Sequence, residues 1–225
     1  MQFTFYGHAC FSIASGGTRF LFDPFISGNP LAKDIDVNSI AADYILVSHA
    51  HVDHTADLID IAKRTDATII GAWEVTEWVK KQGYEKVHPM NFGRFCFPFG
   101  EVRFVQAAHS SSFADGTYGG AAGGFILKLE EGCFYYTGDT ALMLDFQLIP
   151  HFAKPAFTIM PIGGNFTMDV ADAVVAAGYI QCNKIIGVHY DTFGYIVIDK
   201  ADAVKQFAAA GKELLLPAIG ETITL

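Results

Sequence analysis

Apolar and polar residues alternate with two different periods along this chain. Stretches rich in β-branched and aromatic residues predict strands, and apolar residues three or four positions apart predict amphipathic helices. The predicted strands cover residues 1–6, 10–14, 18–22, 44–47, 68–71, 95–97, 102–107, 125–129, 133–137, 157–160 and 184–188. The predicted helices cover the apolar positions within 58–62, 75–82, 170–177 and 203–207.

The order of these elements predicts the fold class. Strands come first, helices follow, and the same order then returns, which is typical of an α/β (α+β) chain built from two β-plus-α halves. We expect the two sheets to pack against each other with the helices outside. No linker or low-complexity tract interrupts the 225 residues, so a single domain spanning 1–225 is the simplest expectation.

Composition and charge narrow the functional classes. Hydrophobic residues make up 51% of the chain and charged residues 17%, which excludes a disordered protein. The net charge of -9 argues against a nucleic-acid partner. No apolar run approaches the ~20 residues that span a bilayer, and the first residues do not resemble an export signal. Four scattered cysteines without a CxxC pair predict buried free thiols in a reducing cytoplasm.

The densest group of chemically active residues lies in the segment 48–54, directly after the predicted strand 44–47. It reads SHAHVDH, with three histidines and one aspartate within six positions. On an extended backbone His49 and His51 point to the same side, whereas Asp53 and His54 fall where the chain turns into a helix. Imidazole and carboxylate are preferred ligands of zinc and related metals. The segment therefore predicts ligands for more than one metal ion.

Further histidines and aspartates stand at the ends of predicted strands, where a sheet can present them to a common cleft. They are Asp23, His109, Asp139 and His189. Each such residue alone is more often structural than functional. Their repetition at four strand ends, together with the cluster, favours a shared metal site.

These residues resemble the metallo-β-lactamase-fold hydrolases. The resemblance rests on HxHxDH at 49–54, followed in order by His109, Asp139 and His189. YGHACF at 6–11, FDPF at 22–25, PIGGNFTM at 161–168 and GVHYDTF at 187–193 are similar to a branch of small metal-dependent hydrolases related to the ascorbate-phosphate lactonases. The fold that this resemblance implies is a four-layer αββα sandwich.

The resemblance also implies a role for each residue. It assigns His49, His51 and His109 to a first metal. Asp53, His54 and His189 would hold a second metal, and Asp139 would bridge the two. It makes Asp23 a carboxylate that orients the ligand loop through hydrogen bonds.

Such a pair of ions lowers the pKa of a shared water, which then attacks an ester-like bond. We expect zinc first and manganese second, with iron and nickel accepting the same ligands. Asp53 and Asp139 are the expected catalytic carboxylates. His8 and Asn165 are candidates for substrate contact, Asn165 through backbone amides of 163–165. A structural core histidine is an equal alternative for His8. The expected substrate is a small lactone, phosphodiester or thioester, and family resemblance allows a homo-oligomer.

Other functions are also compatible with these residues. A mononuclear iron dioxygenase or a nuclease can share the fold, and a binding protein could hold a structural metal instead. We read 110–112 as a polar loop, 118–124 as a flexible glycine hairpin bordering the site, and His88 as a loop residue. His151 is expected at the end of a helix. Phe25, Phe113 and Phe193 flank predicted ligands and are candidates for an apolar substrate pocket.

Overall fold

The computed structural model describes residues 1–225, which form two compact units. Unit 1 comprises residues 1–93, 110–122 and 217–225, and unit 2 comprises 94–109 and 123–216. Neither unit contains a helix with the length and apolar composition needed to cross a bilayer. The single-domain organisation stays a prediction.

Unit 1 is built on a seven-stranded mixed sheet. Its strands are β1 (Gln2–Gly7), β2 (Cys10–Ser15), β3 (Thr18–Phe22), β4 (Tyr44–Val47), β5 (Thr68–Ala72), β6 (Val87–Met90) and β14 (Thr222–Thr224). They lie in the order β14-β1-β2-β3-β4-β5-β6, antiparallel as far as β3 and parallel from β3 to β6. Parallel neighbours need crossover connections. Helices α1 (Val52–Thr55), α2 (Leu58–Thr65) and α3 (Trp73–Lys81) lie on these connections.

Unit 2 repeats the same pairing scheme. Its strands are β7 (Arg94–Phe97), β8 (Gly100–Gln106), β9 (Gly123–Leu129), β10 (Gly132–Tyr136), β11 (Phe157–Pro161), β12 (Lys184–Val188) and β13 (Glu213–Leu215). Strands β7 to β10 are antiparallel, and β10 to β13 are parallel. Helices α4 (Ile149–Phe152), α5 (Val170–Ile180) and α6 (Lys200–Ala209) belong to this unit. A buried cluster that includes Tyr135, Met160, Ala177 and Phe207 joins α5 and α6 to the sheet.

The predicted elements are all present, with ends shifted by one or a few residues. The sequence did not predict β6, β13 or β14. His88 was expected in a loop but lies within β6, beside Pro89. Strand β6 is an edge strand, a position that tolerates a proline because one side of the strand needs no donor. His151 lies within the short helix α4, as expected.

Candidate metal centre

Asp23 organises the histidine segment of unit 1. It follows β3, it is fully buried, and it accepts three hydrogen bonds. The Ser48 amide donates to Oδ1 at 2.7 Å, the Ser48 hydroxyl donates to Oδ2 at 2.6 Å, and His54 Nδ1 lies 2.8 Å from Oδ2. The carboxylate therefore fixes both ends of the turn that carries the histidines.

These bonds also set which nitrogen of each imidazole carries the hydrogen. The Ser48 hydroxyl gives its only hydrogen to Asp23, so at 3.0 Å from His49 Nδ1 it must accept one. His54 Nδ1 likewise donates to Asp23. In both rings Nδ1 then carries a hydrogen, so that in the neutral imidazole the lone pair is on Nε2. An imidazole in this form, oriented by an acceptor behind it, is the form that ligates a metal.

The other predicted ligands of unit 1 lie close to these two. His49 Nε2 is 2.9 Å from His51 Nδ1, and Asp53 Oδ2 is 3.9 Å from His54 Nε2. His8 Nε2 lies 3.0 Å from Asp53 Oδ2. One ligand atom from each of His8, Asp53 and His54 lies within 4.8 Å of the others. Imidazole and carboxylate groups of unit 1 could therefore hold a metal ion.

Ser111 and Gly119 pack against Ala50, which lies between His49 and His51 in the sequence. The Ala50 amide donates to Ser111 Oγ at 3.2 Å. A Cβ on Gly119 would stand 2.2 Å from Ala50 Cβ and 2.5 Å from Ser111 Oγ. Gly119 and Gly120 are buried. The segment 118–124, expected to be flexible, is thus partly packed, because only glycine fits against the ligand turn.

Replacing Gly119 by alanine tests this packing. The new methyl group must displace Ala50, which carries its histidine neighbours with it. We expect Gly119→Ala to lose about 1–3 kcal/mol of unfolding free energy, as overpacking does, and to bind metal more weakly. Urea unfolding and a metal titration measure the two effects. Gly178→Ala is the matched control, since nothing lies within 4 Å of its added Cβ; equal behaviour of both variants would contradict the assignment.

In unit 2 the predicted ligands His109 and His189 both lie close to the predicted ligand Asp139. Asp139 Oδ2 lies 2.9 Å from His189 Nε2 and 3.8 Å from His109 Nε2. Asp139 and His189 are buried. A buried carboxylate surrounded by imidazole nitrogens is costly unless a charge balances it. This donor set is chemically suited to a divalent cation.

Hydrogen bonds hold the ligands that follow β8 and β10. The Ala108 amide donates to Thr140 Oγ1 at 3.0 Å, and the Ala141 amide donates to the Ala108 carbonyl at 3.1 Å. They fix His109 beside Asp139. The loop 163–168 is fixed in turn, because the Met168 amide donates to the Thr140 carbonyl at 2.9 Å.

Asn165 lies in that loop with its side chain exposed. The expectation that the backbone amides of 163–165 hold a substrate oxygen does not fit fully. The Gly164 amide donates to the Met168 carbonyl at 3.0 Å, so the loop uses it internally. The expectation is therefore wrong for the Gly164 amide.

Left-handed backbone is concentrated at the candidate residues. Seven non-glycine residues have positive φ, and Asp66 and Gln181 among them end helices α2 and α5. The others are His8, Asp23, Asn165, His189 and Asp191. Such backbone is uncommon for residues other than glycine and concentrates at functional sites.

Two expectations about the surroundings are wrong. Phe25 and Phe113 offer little surface to a substrate, because both are buried, and Phe113 stacks on Trp78 with ring centroids 4.0 Å apart. Only Phe193 is partly accessible. Cys96 is exposed rather than buried, because it lies on the edge strand β7.

Several supporting residues were not predicted. Ser48 sets the His49 tautomer, Ser111 holds Ala50, and Thr140 joins His109 to Asp139. Asp57 accepts hydrogen bonds from the Ile26 and Ser27 amides at 2.6 and 3.0 Å, which fixes the loop after Asp23. The only sequence signal for these residues is that they lie near predicted ligands, and this does not indicate which group each of them contacts.

Comparison with known proteins decides the family. Residues 2–189 match the family described as "Beta-lactamase superfamily domain". This chain belongs to the β-lactamase superfamily. Within the superfamily, it is 52% identical over 226 residues to a "UPF0173 metal-dependent hydrolase" of Flavobacterium johnsoniae, which covers 100% of both chains. A relative of the same description from Christiangramia forsetii is 49% identical over 227 residues, again across 100% of both.

A solved superfamily structure agrees with the fold. Igni18, a novel metallo hydrolase from Ignicoccus hospitalis, is 28% identical with a TM-score of 0.90, covering 100% of this chain and 97% of that one. The family resemblance and the predicted fold class, the αββα sandwich of the metallo-β-lactamase type, are thereby confirmed. The chain is a member of the UPF0173 metal-dependent hydrolase family.

Proposed function

We propose that this chain is a hydrolase that uses water activated at two divalent ions to cleave an ester-like bond in a small substrate. Lactones, phosphodiesters and thioesters are the candidate bonds. The observation that carries the proposal is the hydrogen-bond arrangement around Asp23. It gives His49 and His54 the tautomer of metal ligands.

In this proposal seven side chains would hold two ions. His49, His51 and His109 would hold the first ion, and Asp53, His54 and His189 would hold the second. Asp139 would be a ligand of both. Nitrogen and oxygen donors suit zinc first and manganese second, and iron and nickel also accept them. The donors are mixed imidazole and carboxylate without cysteine, which favours a catalytic rather than a structural metal.

Ions held there would supply an activated water and polarise the substrate oxygen. Asp53 would accept a hydrogen bond from the attacking water and direct it. The water oxygen bonds to the acyl carbon or phosphorus, the bond to the departing oxygen or sulfur breaks, and the departing atom takes up the proton. One water is consumed and no covalent enzyme intermediate forms.

His8 has a positioning role in this scheme. Its Nε2 lies 3.0 Å from Asp53 Oδ2. Its ring lies edge-to-face against the Phe25 ring, with centroids 5.6 Å apart. The buried imidazole therefore restrains the carboxylate that directs the water. The net charge of -9 favours a small-molecule substrate over nucleic acid.

Metal removal and replacement test the proposal. We expect elemental analysis of the purified protein to find two divalent ions per chain, and chelation to abolish hydrolysis. Zinc or manganese should then restore turnover of at least one substrate in a panel of a lactone, a phosphodiester and a thioester. Full hydrolysis by metal-free protein would overturn it. Iron alone with oxygen consumption would indicate a dioxygenase, and cleavage of labelled RNA alone would indicate a nuclease.

A further inference from the structure

Two aromatic side chains stand exposed on neighbouring loops of unit 2. Phe166 follows β11 and is 50% exposed; Tyr195 follows β12 and is 79% exposed. Their ring centroids are 6.2 Å apart with the planes at 78°, an edge-to-face arrangement. Large aromatic side chains that remain exposed on well-fixed loops are typical of binding sites.

The loop of Phe166 is fixed to the backbone of two predicted ligands. At its start, a Cβ on Gly163 would lie 2.2 Å from the His189 carbonyl oxygen, so the loop touches that residue's backbone. At its end, the Met168 amide donates to Thr140, the neighbour of Asp139. Phe166 is thus held beside the end of the sheet where His189 and Asp139 meet.

The loop of Tyr195 begins just after His189 and is also well fixed. The Asp191 amide donates to the Ile196 carbonyl at 2.8 Å, and the Ile198 amide donates to Asp191 Oδ1 at 3.2 Å. Lys200 Nζ pairs with Asp191 Oδ2 at 2.9 Å. These contacts hold the backbone of the loop that carries Tyr195.

Both loops carry little charge. Residues 163–168 read GGNFTM and residues 192–198 read TFGYIVI, with no acidic or basic side chain. The one carboxylate at the start of the second loop, Asp191, is paired with Lys200. A surface of this kind binds an apolar, uncharged group and offers nothing to a polyanionic one.

We propose that Phe166 and Tyr195 bind an aryl or alkyl group of the substrate. The substrate is then an uncharged carboxylic ester, lactone or thioester bearing such a group, and not a phosphodiester. This inference rests on the proposed hydrolase function and adds its substrate class. The occupant is part of the substrate because both loops are anchored to the ligand-bearing ends of β10 and β12.

A pair of lactones tests the inference. Wild-type protein and the Phe166→Ala and Tyr195→Ala variants are compared on γ-butyrolactone and γ-phenyl-γ-butyrolactone in a pH-stat. We expect each variant to lower the ratio of kcat/KM, phenyl over unsubstituted, about tenfold, mainly through KM, since one aromatic contact contributes about that much. Tyr195→Phe should retain the ratio. Phe95→Ala removes a phenyl group that is 47% exposed on edge strand β7 and should leave the ratio unchanged.

A binding measurement separates failure of this inference from failure of the hydrolase proposal. 2-Phenylethanol, an uncharged aryl compound with no bond to hydrolyse, is titrated into each protein and followed by calorimetry. Binding by wild type and Phe95→Ala, with at least fivefold weaker binding by Tyr195→Ala, supports the aromatic site even if no lactone is cleaved. Equal binding by all, or an unchanged lactone ratio, overturns it. Sedimentation showing a dimer that Tyr195→Ala dissociates would also overturn it, because a second copy would then be the occupant.

Discussion

Asp139→Asn is expected to abolish both hydrolysis and stoichiometric metal binding. In the proposed site this carboxylate bridges two ions, and its Oδ2 lies 2.9 Å from His189 Nε2. The amide that replaces it has almost the same volume but no negative charge, and its NH₂ group repels a cation. Loss of several kcal/mol of transition-state stabilisation corresponds to about a thousandfold lower kcat/KM. Elemental analysis and steady-state kinetics on the same preparation measure the two losses.

Asp145→Asn is the matched control for this experiment. Asp145 is an exposed aspartate of the same unit, so its variant should retain metal content and turnover. If Asp139→Asn keeps two ions and full activity, Asp139 does not bridge and the dinuclear assignment is wrong. If it keeps one ion and full activity, the reaction needs only a mononuclear site.

Asp23→Asn is expected to weaken the fold and the metal site together. The amide can accept through only one atom, whereas Asp23 accepts from the Ser48 amide, the Ser48 hydroxyl and His54 Nδ1. At least one buried donor then loses its acceptor. We expect the metal-free variant to lose about 3 kcal/mol of unfolding free energy. Because His54 is no longer held in the ligand tautomer, metal affinity should fall about ten- to a hundredfold.

Urea unfolding of chelated protein measures the first effect, and a competitive zinc titration measures the second. Asp60→Asn is the control, since Asp60 is exposed on α2. An Asp23→Asn variant with wild-type zinc affinity would show that the tautomers are set by other contacts. A loss of affinity without any loss of stability would limit Asp23 to the metal site.

Much of the fold could be read from local patterns. Strands β3, β4 and β12 were predicted to the residue, because compact apolar runs end there at turn-forming or polar residues. The missed strands depend on distant partners. Strand β14 pairs Thr224 with Gln2, and β6 contains a proline that only its edge position tolerates. Such pairings leave no periodic signal in a three- or four-residue segment.

The candidate ligands could be predicted for a similar reason, because each stands at the end of a predicted strand or in one dense cluster. The residues that position them could not be predicted. The 3.0 Å approach of His8 to Asp53 and the fit of Gly119 against Ala50 arise only when segments far apart in sequence meet. The buried stacking of Phe113 on Trp78 is another case, since a phenylalanine next to a predicted ligand gives no sign of which way it faces.

The partners of Asp23 in these bonds are all protein atoms, and this bears on how an ion would bind. A ligand turn already rigid before loading loses little conformational entropy on coordination, so affinity is preorganised in the polypeptide. Apoprotein should consequently rebind ions without refolding, and the choice among zinc, manganese and iron then follows from the supply of each ion rather than from rearrangement of the chain.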